Sequence, residues 1–152
     1  MYYIVSTCIA FAIGLIYYFL GVEKINLVTS LLLWNLVFGV GFFGLFNFVG
    51  HAILSKKVAQ SIGWVSNGFQ KELGYVSLGI GINGILCFWF RDGLELGTII
   101  ITSIFLLAAA GLHLYEIKQE HNLNIGNTII ILPDIIIPVS LIVLYILSHM
   151  LA

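Results

Sequence analysis

The chain turns on the stretch Ala108–Asp134, AAAGLHLYEIKQEHNLNIGNTIIILPD. An apolar segment ends on His113 and Glu116, a short polar loop follows, and a second apolar segment carries Asp134 between Pro133 and Pro138. Ionisable groups inside apolar runs are costly in a bilayer and face the bundle interior or a partner, so they are functional candidates by default.

The rest of the chain has the same character. Its 152 residues are 61% hydrophobic and only 9% charged, with a mean hydropathy of +1.10. Soluble domains carry roughly 25% charged residues. The composition therefore predicts an integral membrane protein whose first partner is the lipid bilayer. A net charge of −1 and the absence of any basic run exclude nucleic-acid binding, which needs clustered Lys and Arg. Cys8 and Cys87 lie in different apolar segments, form neither a CxxC pair nor a disulfide framework, and read as buried inert thiols.

A membrane-spanning helix needs roughly 20 mostly apolar residues. Five segments qualify: about Tyr3 to Leu20, Val28 to Leu54, Gly74 to Phe90, Leu96 to Ile117 and Thr128 to Leu151. The expected fold is all-α, a single transmembrane domain over residues 1–152 built as a polytopic helical bundle. The first segment has no Lys or Arg before its apolar run and no small-residue cleavage site near Gly21 to Lys24, so it reads as a retained span rather than a signal peptide. Gly39, Gly41 and Gly44, with Gly79, Gly81 and Gly84, would let helix backbones approach closely. Neither patch has the Gly-Lys-Ser/Thr ending of a phosphate loop.

Between the second and third spans, Ser55 to Glu72 is more than a loop. Val58, Ile62, Val65 and Phe69 recur at helical spacing among Lys56, Lys57 and Gln60, which predicts a short amphipathic piece in the interface with Trp64 as its aromatic anchor. Gly63 and Asn67-Gly68 interrupt it, and Asn67 is spaced to cap the next helix. Pro133 and Pro138 leave the carbonyls of Ile129 and Asp134 without their helical donors, so the fifth segment should kink or break.

Orientation follows from the lysines. Lys56, Lys57, Lys71 and Lys118 fall on one side of a five-span bundle, and Lys24 and Arg91 on the other. By the positive-inside rule the N-terminus is cytoplasmic, as expected for a bacterial inner membrane. Glu23, Lys24, Arg91, Asp92 and Glu95 form the opposite rim, where surface pairing is sufficient explanation. His121, in the polar loop, and His149, near the C-terminus, read as solvated or peripheral.

Alternating helix directions gather His51, Glu72, His113, Glu116 and Asp134 towards the lysine-rich side, with Asn47 on the face of His51 and Gln70 near Glu72. Two histidines with carboxylates suit a divalent metal such as Zn, Fe or Mn. A b-type haem held by His51 and His113 is the cofactor variant. The His113-x-x-Glu116 order is reversed relative to di-metal carboxylate bundles and has no second copy. Equally, the groups could pair with one another to hold the bundle together. No Gly-x-Ser-x-Gly elbow occurs, and catalysis has no independent support.

Asn47-x-x-Gly50-His51, Ile62-Gly63-Trp64, Phe69-Gln70-x-Glu72-x-Gly74 and Asn124-x-Gly126-Asn127, followed by Asp134 and Pro138, resemble an uncharacterised family of small bacterial membrane proteins, known as a domain of unknown function. The resemblance runs from the second span to the end and implies a membrane class without a reaction. Three roles stay open: a bundle holding a metal or haem, a small-solute or proton transporter using the broken fifth span, and a structural or accessory subunit, whether of a homo-oligomer or of a larger membrane complex.

Overall fold

The computed structural model describes residues 2–151, with Tyr2 described for its backbone only. Among these residues the secondary structure is helical throughout, with no strand. We label the helices α1 (Tyr2–Phe19), α2 (Leu27–Ile53), α3 (Ser55–Ile62), α4 (Gly68–Leu86), α5 (Gly93–Gln119) and α6 (Ile125–Met150). Three of them, α2, α5 and α6, are long and apolar enough to cross a membrane. Helix α1 is apolar but shorter. Helix α4 has 19 residues, yet Gln70, Lys71 and Glu72 fall among its first five and five glycines dilute its apolar character. Length and composition thus support three of the five expected crossings.

Small residues set the register between α2 and α4, which run antiparallel. A Cβ on Gly44 would stand 2.3 Å from the Ser77 carbonyl oxygen, one on Gly84 2.7 Å from that of Leu36, and one on Gly74 2.8 Å from the Ala52 nitrogen. Backbone therefore meets backbone along the length of the pair, as small residues allow in membrane bundles. Of the expected glycines, Gly41, Gly44, Gly81 and Gly84 make this contact; Gly39 meets only Asn35 of its own helix, and Gly79 faces open space. Helix α1 folds back along α2, where Ser30 Oγ donates to the Gly14 carbonyl at 2.7 Å. Leu32, Leu36, Val40 and Phe43 of α2 share one core with Ile99 and Leu106 of α5 and with Ile137, Leu141 and Leu144 of α6. Large aliphatic side chains also cover the outside, including Ile104, Val139 and Ile146.

Local chemistry explains the breaks. Asn67 Oδ1 accepts the Gln70 backbone N–H at 3.0 Å and caps α4, as its spacing predicts. Gly63 ends α3 in the left-handed region at φ 80°, which favours glycine, and a Cβ there would also press on the side-chain amides of Asn122 and Asn124. The expected interfacial segment consequently splits: α3 is amphipathic and stops at Ile62, residues 64–67 are non-helical, and α4 has begun by Gly68. Helix α6 divides into Ile125–Ile129 and Ile131–Met150 around Ile130, where Pro133 supplies no N–H to the Ile129 carbonyl, while Pro138 is accommodated inside the second piece. Two π-helical segments, Asn35–Val40 and Val49–Ile53, interrupt α2.

Antiparallel packing collects the start of α1, the end of α2, all of α3, the start of α4, the end of α5 and the start of α6 at one end of the bundle. The opposite end holds an ion pair between Arg91 and Glu95. Glu95 is buried rather than a surface partner, and Cys8 is exposed while Cys87 is buried.

Candidate functional site

A cavity of about 660 Å³ occupies the polar end of the bundle. Its lining is mainly aliphatic and aromatic, with Phe43, Phe105 and Leu106 among the walls. Into it converge Tyr3 from α1, Asn47 and His51 from α2, Trp64 from the linker, His113 from α5 and Asp134 from α6. A volume of roughly 300–1,000 Å³, apolar walls and a few placed polar groups are the marks of a small-molecule site.

Each polar group is held by a neighbour that sets its chemistry. Tyr3 donates its hydroxyl proton to Asn47 Oδ1 at 2.6 Å, which fixes the Asn47 amide with its NH₂ as the remaining donor. Asn127, fully buried in α6, donates Nδ2 to the Asn122 carbonyl at 3.0 Å. Its Oδ1 therefore accepts from His113 Nδ1 at 2.6 Å. A proton therefore lies on Nδ1, and Nε2 is the ring nitrogen turned away from Asn127. His51 has the opposite tautomer: Gln70 Nε2 donates to the Ser55 carbonyl at 2.9 Å and lies 3.4 Å from His51 Nδ1. An N–H facing Nδ1 makes that atom an acceptor and leaves the proton on Nε2. The two histidines are thus anchored in opposite senses, His113 Nδ1 as donor and His51 Nδ1 as acceptor. The π-helical segment Val49–Ile53 carries His51 immediately before the chain turns into α3, and such bulges occur frequently at functional sites.

Trp64 seals one wall. Its ring stacks on His113 with centroids 5.7 Å apart and planes at 20°. Its Nε1 donates to both Glu116 oxygens, at 2.7 and 2.9 Å. Asn122 Nδ2 adds a third contact to Glu116 at 3.0 Å while also donating to the Ile62 carbonyl at 2.8 Å. His121, at φ 54°, turns the chain after α5 so that Asn122 reaches this position. The α3–α4 linker, the end of α5 and the start of α6 are therefore tied by one polar network behind the cavity.

Asp134 stands apart. It is only 2% exposed and lines the cavity, yet its Oδ2 has no hydrogen-bond partner. A buried carboxyl oxygen without a partner is costly and is an invitation to a proton, a cation or a donor group.

The five residues expected as a metal cluster do not converge. His51, His113 and Asp134 line the cavity, Glu116 is turned to Trp64 and Asn122, and Glu72 lies exposed on α4 outside the lining. Among the described residues no group of three or more His, Cys, Asp or Glu side chains is arranged to hold a metal ion. Asn47 belongs to the cavity wall, and Gln70 stands behind His51. Three members were not expected at the site, although Trp64 and Asn127 stand in the motifs that carry the family resemblance. Tyr3 and Asn127 carried no charge to mark them, and Trp64, expected as an interfacial anchor, instead spends its indole N–H on Glu116. The one available signal for Trp64 is that a half-buried indole needs an acceptor.

The mouth of the cavity is apolar. Ile104 and Leu112 of α5 and Ile125 and Ile129 of α6 both line it and are exposed on the outside, with Ser61 at the loop end. Access therefore runs between α5 and α6.

No curated protein and no solved structure matches the chain. One family model matches residues 1–152, so the resemblance seen from the second span onward extends over the first helix as well. The chain belongs to the family of unknown function DUF6790.

Proposed function

We propose that this is an integral membrane protein that takes a small, largely apolar molecule from the bilayer into the cavity at the polar end of its bundle. The observation that carries the reading is the aliphatic mouth between α5 and α6 opening onto a cavity with convergent Asp134, His113 and His51. A molecule dissolved in hydrocarbon would pass such a rim without desolvating, and the polar groups inside would orient its head. The exposed aliphatic surface supports burial in lipid, with α1 and α4 completing a five-crossing bundle around the three long helices. In that topology the lysines put the N-terminus and the cavity end on the cytoplasmic side of a bacterial inner membrane.

The geometry favours this reading over a metal or haem centre. His51 presents Nε2–H to the cavity rather than a lone pair, so double histidine ligation would require it to abandon Gln70. Transport is a second reading with its own support: the discontinuity at Ile130 lies one turn from Asp134, as in transporters whose broken helices flank their sites. A subunit role in a larger complex would rest on the exposed aliphatic surface, which a bilayer covers equally well.

The test uses a protein with Trp34 and Trp89 changed to Phe, leaving Trp64 as the reporter, in lipid nanodiscs with 12-bromododecanol as a quencher. Saturable quenching of Trp64 that is abolished by Ala109→Phe, which fills the cavity, is the expected result. Quenching that rises linearly with quencher and is indifferent to Ala109→Phe would remove the proposal.

A further inference from the structure

We propose that the molecule received in this cavity is a lipophilic amine whose protonated nitrogen is held by Asp134. The inference rests on the cavity reading above and names the head group it selects.

Among the described residues Asp134 is the only Asp, Glu, Lys or Arg side chain that lines the cavity; the two histidines there are engaged through Nδ1 by Gln70 and Asn127. A carboxylate so enclosed has, among those residues, no Lys or Arg on the cavity wall to pair with, and burying an unpaired charge is far more costly than burying a pair. Its Oδ2 is fully buried and unpartnered, whereas the amide of Asn127 and the carboxylate of Glu116 in the adjoining network are supplied with partners. Gln70 Oε1 behind His51 is also buried without a partner, but among the described residues Asp134 Oδ2 is the one such atom that belongs to an acidic side chain.

The remaining atoms fit the same head. An ammonium has three donors and no acceptor. Asp134 can accept one, and Tyr3 Oη and the π-faces of Phe43 and Phe105 supply further electron-rich surface on the same walls. A carboxylate or phosphate head would meet Asp134 with no cation to offset it. An ammonium would also be shared by phosphatidylethanolamine, but its phosphate would lie beside the amine with no Lys or Arg on the lining to receive it. A free alkylamine is therefore the better match.

The experiment measures displacement of 12-bromododecanol from Trp64 in phosphatidylcholine nanodiscs by dodecylamine, dodecanol and dodecanoate. Dodecylamine should compete about tenfold or more better than dodecanol, the scale of one charge-assisted hydrogen bond, and dodecanoate worst. Asp134→Asn should erase the preference for the amine while leaving dodecanol competition in place, and Asp134→Glu should restore part of it. Helical circular dichroism and retained bromododecanol quenching confirm that the variants are folded. Equal competition by amine and alcohol, or an amine preference that survives Asp134→Asn, would overturn the assignment while leaving the cavity reading intact. Absence of saturable quenching by any chain would instead overturn the cavity reading itself. Repeating the titration with phosphatidylethanolamine in the disc separates the sources. No weakening of dodecylamine supports the free amine; strong competition by the lipid would overturn that choice.

Discussion

Replacing Trp64 with Phe isolates the bond on which the wall of the cavity depends. Phe keeps a ring against His113 but removes the one N–H that both Glu116 oxygens share. Glu116 is 7% exposed, so water cannot replace that donor, and Asn122 at 3.0 Å is left as its side-chain partner. A hydrogen bond to a charged group contributes about 1.5–3 kcal/mol, and Trp64→Phe should destabilise the protein by that amount. Trp64→Ala should cost about 0.5–1.5 kcal/mol more through the lost ring contact. The assay is loss of helical circular dichroism on denaturation in a fixed micelle, applied to Trp64→Phe, Glu116→Gln and the double variant. Because the two side chains act on one bond, the double variant should fall short of the summed single costs by about 1 kcal/mol or more. Additivity within about 0.3–0.5 kcal/mol, the range for independent sites, would refute the claim that this contact closes the wall.

Three further substitutions probe separate parts of the structure. Gly44→Ala forces a Cβ to within 2.3 Å of the Ser77 carbonyl oxygen, so α2 and α4 must separate, and the folded protein should lose about 1–3 kcal/mol; the same denaturation measurement reads it, and wild-type stability would contradict the register. Asp134→Leu removes a buried oxygen without a partner and should stabilise the unliganded protein by about 1–3 kcal/mol, seen as a higher midpoint, while abolishing amine competition. Asn67→Ala removes the cap of α4 and should cost about 1 kcal/mol, with amide exchange accelerating at Gln70; unchanged exchange there would deny the cap.

What could be read from the sequence follows a physical divide. Composition and apolar run length reveal helices because a bilayer demands internal hydrogen bonding, and the Asn67 cap, the Gly63 interruption and the weakness before Pro133 are local effects that need no tertiary knowledge. The alternation of helix directions was enough to bring His51, His113, Asn47, Gln70, Glu116 and Asp134 to one end. It could not fix which way each side chain turns. Glu72 shares that end yet lies exposed, because the cap at Asn67 starts α4 at Gly68 and sets its rotation. Glu116 was drawn away by Trp64, a contact across 52 residues that no local spacing encodes. The two π-helical segments shift the face of α2 in mid-helix, and nothing in the residue pattern of Asn35–Val40 or Val49–Ile53 announces them.

The most direct measurement is an experimental density map of the protein purified in lipid nanodiscs with dodecylamine present. Elongated density entering between α5 and α6, with its head within hydrogen-bonding distance of Asp134, is the predicted result. A collapsed cavity, or an occupied mouth whose density stops short of Asp134 and His113, would contradict the account.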